Sequence, residues 1–467
     1  MGNKCYFCSK LDYEEMYIER LIDKDLLEWK DSPARKPLLL RGARQVGKSS
    51  SVRHFSKEFD YFIEVNFEKR GEIKVLFEKD INVHEIASKL GIIYDVPIIP
   101  GRTLIFLDEI QACPNAIKSL WFFKEDMPEL HVIAAGSLLE FTLKEISSFG
   151  VGRIRSMYMY PLSFDEFLMA EGKGSLLAEK RKASPEYPLL QPIHDGLVKE
   201  FRQYIVIGGM PASVASWINT GNYLASIDEL EDIQQTYYDD FAKYSRSVEP
   251  SLLRNTLFSV VAQIGNKFMY SKVEGGYRQD DVKAALSLLS DAGIIKEVKH
   301  TAANGLPLGA EVNEKFKKYV YLDSGLLLRI LDFNSGNTNK AASDILLSNA
   351  QDLVNKGSIT EMIVGWEMLK YSGSRFRHDL FYWESPERGA TSEVDYIIAK
   401  DGNVLPIEVK SGTSGKMKSL RLFMEKKNIA YAVRTSLENF SRLSFSDSIS
   451  SKNIDIIPLY ALSNLIS

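Results

Sequence analysis

The chain is poor in cysteine, with three in 467 residues: Cys5, Cys8 and Cys113. An odd, sparse set excludes a disulfide framework. Cys5 and Cys8 form a CxxC, half of a zinc site, but the next histidine is His54 and no second half follows. The expectation is an N-terminal tail without metal. Long apolar runs are missing as well: nothing nears the ~18 residues that a membrane span needs. The opening MGNKCYFCSK has no apolar signal-peptide core, and Tyr6 stands where N-myristoylation asks for Ser or Thr. These absences point to a cytoplasmic protein with no membrane partner. Neither sign of charge dominates, with 58 Lys and Arg against 62 Asp and Glu and a net charge of −4, so any grip on nucleic acid has to come from a local patch. Repeats, coiled coils and low-complexity tails are also lacking.

What is present is an ordinary globular composition, 45% hydrophobic and 26% charged, in a chain long enough for roughly two to four domains. "KPLLLRGARQVGKSSSVRHF" opens with a buried-strand run, then Gly42-Ala43-Arg44-Gln45-Val46-Gly47-Lys48-Ser49-Ser50 before a helical stretch. This is GxxxxGK[ST], the Walker A pattern, between a strand and a helix. Its glycines let backbone N–H groups close on phosphate at a helix N-terminus. Lys48 is expected to reach the β- and γ-phosphates of ATP, and the Ser49 hydroxyl to sit on Mg²⁺. "TLIFLDEIQ" ends a second apolar strand in Asp108 and Glu109. An acid there holds Mg²⁺, and the next one polarises the attacking water, which turns nucleotide binding into hydrolysis. A third strand, "HVIAAGS", ends in Ser137, and "GVGRIRSMYMYPLSFDEFL" carries Arg153 and Arg155. Arg153 is a candidate arginine finger, in cis or on a neighbouring copy of the chain.

The run "RKPLLLRGARQVGKS…IFLDEIQ…VIAAGS…GRIRSMYMYPLSFDEFL…GGMP" resembles the AAA-type ATPases of bacteria and archaea that carry a C-terminal domain of unknown function. These are related to the STAND class of signalling NTPases and to archaeal chromosomal ATPases. The resemblance implies a parallel sheet with helices on both faces, Ser137 as sensor, and Gly209-Met210-Pro211 as a lid motif near the nucleotide. From the residues alone, "IGGMPASV" is a turn with a proline opening a helix.

Beyond Gly209 the pattern is helical. "NKFMYSKVEGGYRQDDVKAALSLLSDAGIIKEVKH" reads as helix, turn, amphipathic helix, Gly293 and strand, a winged-helix order with Ala284, Leu288 and Leu289 facing the core and the wing starting at Ile294–Val298. Asp280, Asp281 and Asp291 give the would-be recognition helix the wrong charge for phosphates, so a structural or regulatory module is expected. Asp323 fits a capping role at a strand–helix junction.

After a polar run at Asn334–Lys340 the chain restarts with a helix bearing Glu361, a strand "DLFYWES", the strand "EVDYIIAK" with Asp395, the hairpin turn Asp401-Gly402, and "VLPIEVK" with Glu408 and Lys410. Glu408 and Lys410, two apart, share a strand face. Paired across the turn, Asp395 and Glu408 come within reach of one Mg²⁺ or Mn²⁺ ion, with Glu361 to complete the shell and Lys410 to steady developing charge. Asp395 followed after twelve residues by Glu408-Val409-Lys410 resembles the PD-(D/E)xK nuclease superfamily, with Val394 where the name has proline. That resemblance implies metal at Asp395 and Glu408, Lys410 assisting the nucleophile and Glu361 as auxiliary ligand. Lys416, Lys418, Arg421, Lys426 and Lys427 follow as a basic run that can track a nucleic-acid backbone.

The sequence thus predicts an α/β protein in five parts: a tail (1–12), an AAA-type P-loop ATPase domain (13–200), a helical lid and winged-helix domain (201–333), a linker (334–340), and a restriction-endonuclease-like α/β domain (341–467). Two functions fit: an ATPase coupled to a metal-dependent nuclease, or a nucleotide-dependent switch or scaffold that binds nucleic acid or protein, as a homo-oligomer or with a partner, without cleavage.

Overall fold

Strands buried on both faces read as unbroken apolar runs, and the central strands of the first sheet are of this kind. The computed structural model describes residues 17–78, 81–136, 139, 143, 152–242, 248–335, 357–387, 392–412, 417–446 and 451–466. Strands β1 (Leu38–Arg41), β2 (Tyr61–Asn66), β3 (Thr103–Asp108), β4 (His131–Ala135) and β5 (Arg155–Tyr158) form a parallel sheet in the order β2-β3-β4-β1-β5. Alternation along the strands sends side chains to opposite faces. Leu38, Leu40, Leu104 and Phe106 meet Ile22, Leu26, Val52 and Phe55 of helices α1 (Leu21–Lys30) and α2 (Lys48–Phe55). Leu39, Ile105 and Leu107 share the other core with Ile117 and Leu120 of α3 (Pro114–Asp126). With every strand parallel, the C-terminal ends of β1, β3 and β4 open on one edge, where such sheets bind ligands.

A helical region follows, including α4 (Pro211–Thr220), which has proline in its first turn, α5 (Tyr223–Phe241) and α6 (Gln279–Asp291). On α6 the buried stripe is Val282, Ala285, Leu286 and Leu289, spaced i, i+3, i+4, i+7. Ala284 is exposed and Leu288 only half-buried, so the core face is rotated from the expected one: Ala284 lies one position off the stripe that the 3.6-residue period selects.

The remaining strands are β6 (Ile295–Thr301), β7 (Val312–Tyr321), β8 (Leu380–Glu384), β9 (Glu393–Lys400), β10 (Asn403–Val409), β11 (Tyr431–Ser436), β12 (Ser441–Ser446) and β13 (Ser451–Pro458). They make one mixed sheet in the order β12-β13-β11-β10-β9-β8-β6-β7. β9 and β10 turn through Asp401 and Gly402, with φ of 49° and 76°, the type I′ geometry that an Asp-Gly pair favours. β6, whose first residues were expected to start a wing, continues this sheet together with β7, because β6 pairs with β8 in parallel (Val298↔Leu380). Residues 334 and 335 end the helix Ser324–Ser335; the rest of the expected linker, like Cys5, Cys8 and Ser137, lies outside the described residues. Helix α7 (Gly357–Tyr371) is buried from Thr360 to Lys370 and joins the two halves of the molecule. Among the described residues no helix is long and apolar enough to cross a membrane.

Candidate functional site

β1 ends at Arg41, and the chain bends through Gly42 (φ 144°) and Gly47 (φ 98°) before α2 starts at Lys48. Gly42 has a packing reason too: a Cβ there would lie 2.2 Å from the Met159 carbonyl oxygen. Lys48, 8% exposed, donates to the carbonyls of Gly42 (2.9 Å) and Ala43 (2.8 Å). Burial pulls its ammonium down to about 8, against the attraction of Glu109 and Asp108. Ser49 Oγ donates to Asp108 at 3.1 Å (Oδ1) and 3.2 Å (Oδ2), and Asn66 Nδ2 donates to Asp108 at 3.0 Å. Burial and the neighbouring Glu109 raise the Asp108 carboxyl. Glu109 sits in the left-handed region (φ 48°) and accepts from Gln111 Nε2 at 2.6 Å. Ser49 and Asp108 are therefore an oxygen-only pair of the kind Mg²⁺ takes, and the residues present fit that ion.

The loop is tied to its surroundings by residues that motif reading missed. Arg20 donates to the carbonyls of Val46 (2.8 Å) and Tyr160 (2.6 Å) while pairing with Glu166 at 3.0 Å. Arg44 turns away from the loop to pair with Asp240 of α5 at 2.6 Å, and Tyr237 Oη donates to the Arg44 carbonyl at 2.8 Å. Gln45 takes a positive φ of 63°, a conformation uncommon outside glycine, so the loop bends there as well. Pro211 lies beside Gly47, its Cγ 3.5 Å from where a Cβ would stand. Ser50 is exposed on the first turn of α2. Arg153 is not brought to this edge: it pairs with Glu125 of α3 at 2.5 Å, over the Trp121 ring, with both partners about half exposed. Asn66 reaches Asp108 because β2 and β3 lie in register there, a pairing that no local pattern in the sequence announces.

In the C-terminal sheet the hairpin and α7 bring Glu361, Asp395, Glu408 and Lys410 to one region, but not in the expected grouping. Carboxylate oxygens of Glu361, Glu393 and Asp395 all lie within 4.8 Å of one another. Glu408 instead pairs with Lys410 at 2.5 Å. Glu393 was missed although it stands two residues before Asp395, on the same face of β9. Asp395 accepts the Val409 N–H at 2.7 Å, which locks it to β10. Tyr396 Oη donates to the Glu361 carbonyl at 2.7 Å, which fixes α7 over the hairpin. Burial, with the acids' mutual repulsion, raises the Glu361, Glu393 and Glu408 carboxyls; burial also raises Asp395.

A cation already stands in this cluster. Lys318 of β7, its side chain 2% exposed, pairs with Glu361 at 3.0 Å and with Glu393. Burial opposes its charge, but Glu361, Glu393 and Asp395 outweigh that and hold the ammonium well above the usual lysine range. The donor set has the oxygen chemistry of a Mg²⁺ or Mn²⁺ centre, yet with Lys318 in place the residues do not fit a metal ion as they stand. The basic run beyond Lys410 is partly committed elsewhere: Lys426 pairs with Glu387 at 2.7 Å, Lys427 donates to Asn304 at 2.5 Å, and Arg421 lies over the Phe445 ring. Lys416 is outside the described residues.

Residues 34–168 match a family model described as an AAA domain. Residues 198–337 match a domain of unknown function (DUF8612), and residues 356–462 match another (DUF4143). No curated protein matches the chain. Among solved structures it is similar to a Walker-type ATPase of Pyrococcus abyssi, at 16% identity over 68% of this chain and 97% of that one, with a TM-score of 0.43. It is similar to the ORC1 protein of Aeropyrum pernix, solved in complex with DNA, at 13% identity over 70% and 95%, with a TM-score of 0.30. A third similarity is to the Hsp104–ADP complex of S. cerevisiae, at 11% identity over 59% and 38%, with a TM-score of 0.27. Taken with the Walker A loop and its Ser49–Asp108 contact, the match over residues 34–168 identifies the N-terminal module as an AAA-type P-loop ATPase domain.

Proposed function

We propose that the chain binds ATP with Mg²⁺ and hydrolyses it, and that its nucleotide state controls a restriction-endonuclease-like C-terminal domain acting on nucleic acid. The observation that carries the reading is the Ser49–Asp108 contact at 3.1 Å, at the sheet edge that also presents Lys48 and Glu109. In this reading the backbone of Gly42–Ser49 cradles the phosphates, and Lys48 leaves the Gly42 and Ala43 carbonyls for the β- and γ-oxygens. Ser49 and Asp108 would hold Mg²⁺, which supplies charge compensation for the triphosphate. Glu109, held by Gln111, orients the attacking water and receives its proton. Ser137 senses the γ-phosphate, and Pro211 closes the lid side.

Arg153 enters only in trans, since its partners Glu125 and Trp121 are not loop residues. Hydrolysis per subunit should then rise with protein concentration as copies associate; a flat profile from a monomer rules the finger out.

For the C-terminal domain, Asp395, Glu361 and Glu408 would hold Mg²⁺ or Mn²⁺ once Lys318 has left the acids, and Lys410 would steady the phosphodiester's developing charge. Lys318 among the acids favours a second reading, a switch that binds nucleic acid or a protein partner without cutting. One experiment separates the two: cleavage of labelled single- and double-stranded DNA and RNA with Mg²⁺ or Mn²⁺, with and without ATP, by wild type, Lys48→Ala and Asp395→Ala. Cutting by wild type that Asp395→Ala abolishes supports the nuclease. ATP turnover without cutting supports the switch. Turnover that survives Lys48→Ala overturns the P-loop assignment.

A further inference from the structure

Three observations meet on the β6–β7 hairpin. The first is the position of Lys318: its side chain reaches from β7 over β6 and β8, with Nζ 5.0 Å from the centroid of the Tyr382 ring, to stand against Glu361 of α7 and Glu393 of β9. A flexible surface lysine would gain little from such pairs, but this one is buried and directed into the place where three carboxylates converge. The second is that the cluster keeps unspent ligand capacity: Glu408, 5% exposed and beside Asp395, has its Oε2 buried without a hydrogen-bond partner among the described residues. The third is how the hairpin is mounted. At the start of β6, Gly293 packs on the phosphate loop, so closely that a Cβ would lie 3.2 Å from the Ala43 nitrogen. At the end of β7, Asp323 accepts the Gly209 N–H at 2.7 Å, in the turn that leads to Pro211 and hence to Gly47. The open end of the hairpin that carries Lys318, where the start of β6 pairs with the end of β7, therefore sits on the phosphate loop through Gly293 and on the turn before Pro211 through Asp323.

We propose that Lys318 is a built-in cation that competes with a divalent metal ion for the Glu361–Glu393–Asp395 cluster, so that metal enters only in exchange for the lysine. This rests on reading the cluster as a metal centre, and it makes the hairpin the part that decides whether the centre is loaded. The chemistry is one of shared oxygens: the Lys318 ammonium takes Glu361 Oε1 and Glu393 Oε1, which a divalent ion bound in the cluster would need as ligands. In the lysine-bound state the C-terminal domain has the outline of a nuclease without its metal.

The test is Mn²⁺ binding to the full chain without nucleotide, followed by the paramagnetic resonance of free Mn²⁺. Wild type should bind no more Mn²⁺ than Asp395→Asn. Lys318→Met should gain one site, tighter than any in wild type by about ten-fold or more, and Lys318→Met/Asp395→Asn should lose it. Because Lys318→Met leaves buried acids without their counter-ion, Lys318→Met/Glu393→Gln, which removes one charge of each sign and one ligand, is measured beside it and should still gain an Asp395-dependent site, weaker than that of Lys318→Met. Wild type that already binds Mn²⁺ through Asp395, with an affinity that neither Lys318 variant improves, overturns the competition and leaves the metal centre standing. Folded variants that still bind ATP but never bind Mn²⁺ through Asp395 overturn both.

Discussion

Arg20 and His131 are two buried basic side chains with opposite solutions to the cost of desolvation. Arg20 is compensated by partners, since Glu166 and two carbonyls meet its fork of donors. His131, 3% exposed between the rings of Trp29 and Phe59, gives its charge up: burial, then the nearby Arg35, pulls it down to about 4 from 6.5. The sign follows from which state takes the proton. Below about 6.5 the unfolded chain protonates this histidine and the folded chain does not, so its contribution to stability falls as pH drops from 6.5 toward 4. Urea midpoints measured across that window should fall more steeply for wild type than for His131→Gln; parallel curves refute the assignment. The same contrast explains what was legible residue by residue. Gly42 to Ser49, Asp108 and Glu109 belong to local patterns whose spacing carries the chemistry. Arg20, Asn66 and Lys318 act on partners reached only through the fold, Lys318 and Glu393 lying 75 positions apart.

At the scale of elements, α7 does most to join the two sites. Near its start Glu361 enters the carboxylate cluster; further on, Trp366 lines a cavity of ≈ 70 Å³ beside Gly42 and Ala43. Beyond that, Glu367 accepts from Tyr204 Oη (2.6 Å), the Phe164 N–H (3.0 Å) and Lys370 (2.8 Å), anchoring the helix in the ATPase module. Its hold on the sheet depends on Gly365, where a Cβ would lie 2.4 Å from Tyr396 Oη. Gly365→Ala should push the helix off β9 at a cost of about 1–3 kcal/mol. It should lower the unfolding temperature and sharpen protease sensitivity within 357–466 while leaving ATP affinity in place. Unchanged melting would show that the close approach tolerates a methyl group. The hairpin β9–β10 was readable because Asp-Gly dictates its turn, and with the turn its register. The partners of β6 were not, since no local period says that a strand from one region will lie beside β8 of another.

For the whole molecule, the phosphate loop and the carboxylate cluster are linked along the hairpin, whose open end sits on the loop while its Lys318 stands in the cluster, and any such coupling has to be reciprocal. If ATP alters how firmly Lys318 holds the acids, then changing Lys318 must alter ATP affinity, by up to the same factor where the lysine-bound state dominates, about 5-fold for couplings of ordinary size. Titration of wild type and Lys318→Met with a fluorescent, non-hydrolysable ATP analogue measures it. Identical affinities would show that the two sites work independently.

The pairing of Val298 with Leu380 also sets the unit in which this protein can be cut or exchanged. A fragment beginning near residue 341 would take β8 without β6, leaving an open strand edge that invites pairing with other chains, and would part the carboxylates from their lysine. A graft made at that boundary would inherit half of a sheet. The piece that can be traded intact has to carry β6 and β7 along with everything after them, and with the hairpin comes its seat on the phosphate loop, so a transplanted C-terminal half needs a nucleotide module shaped to receive it.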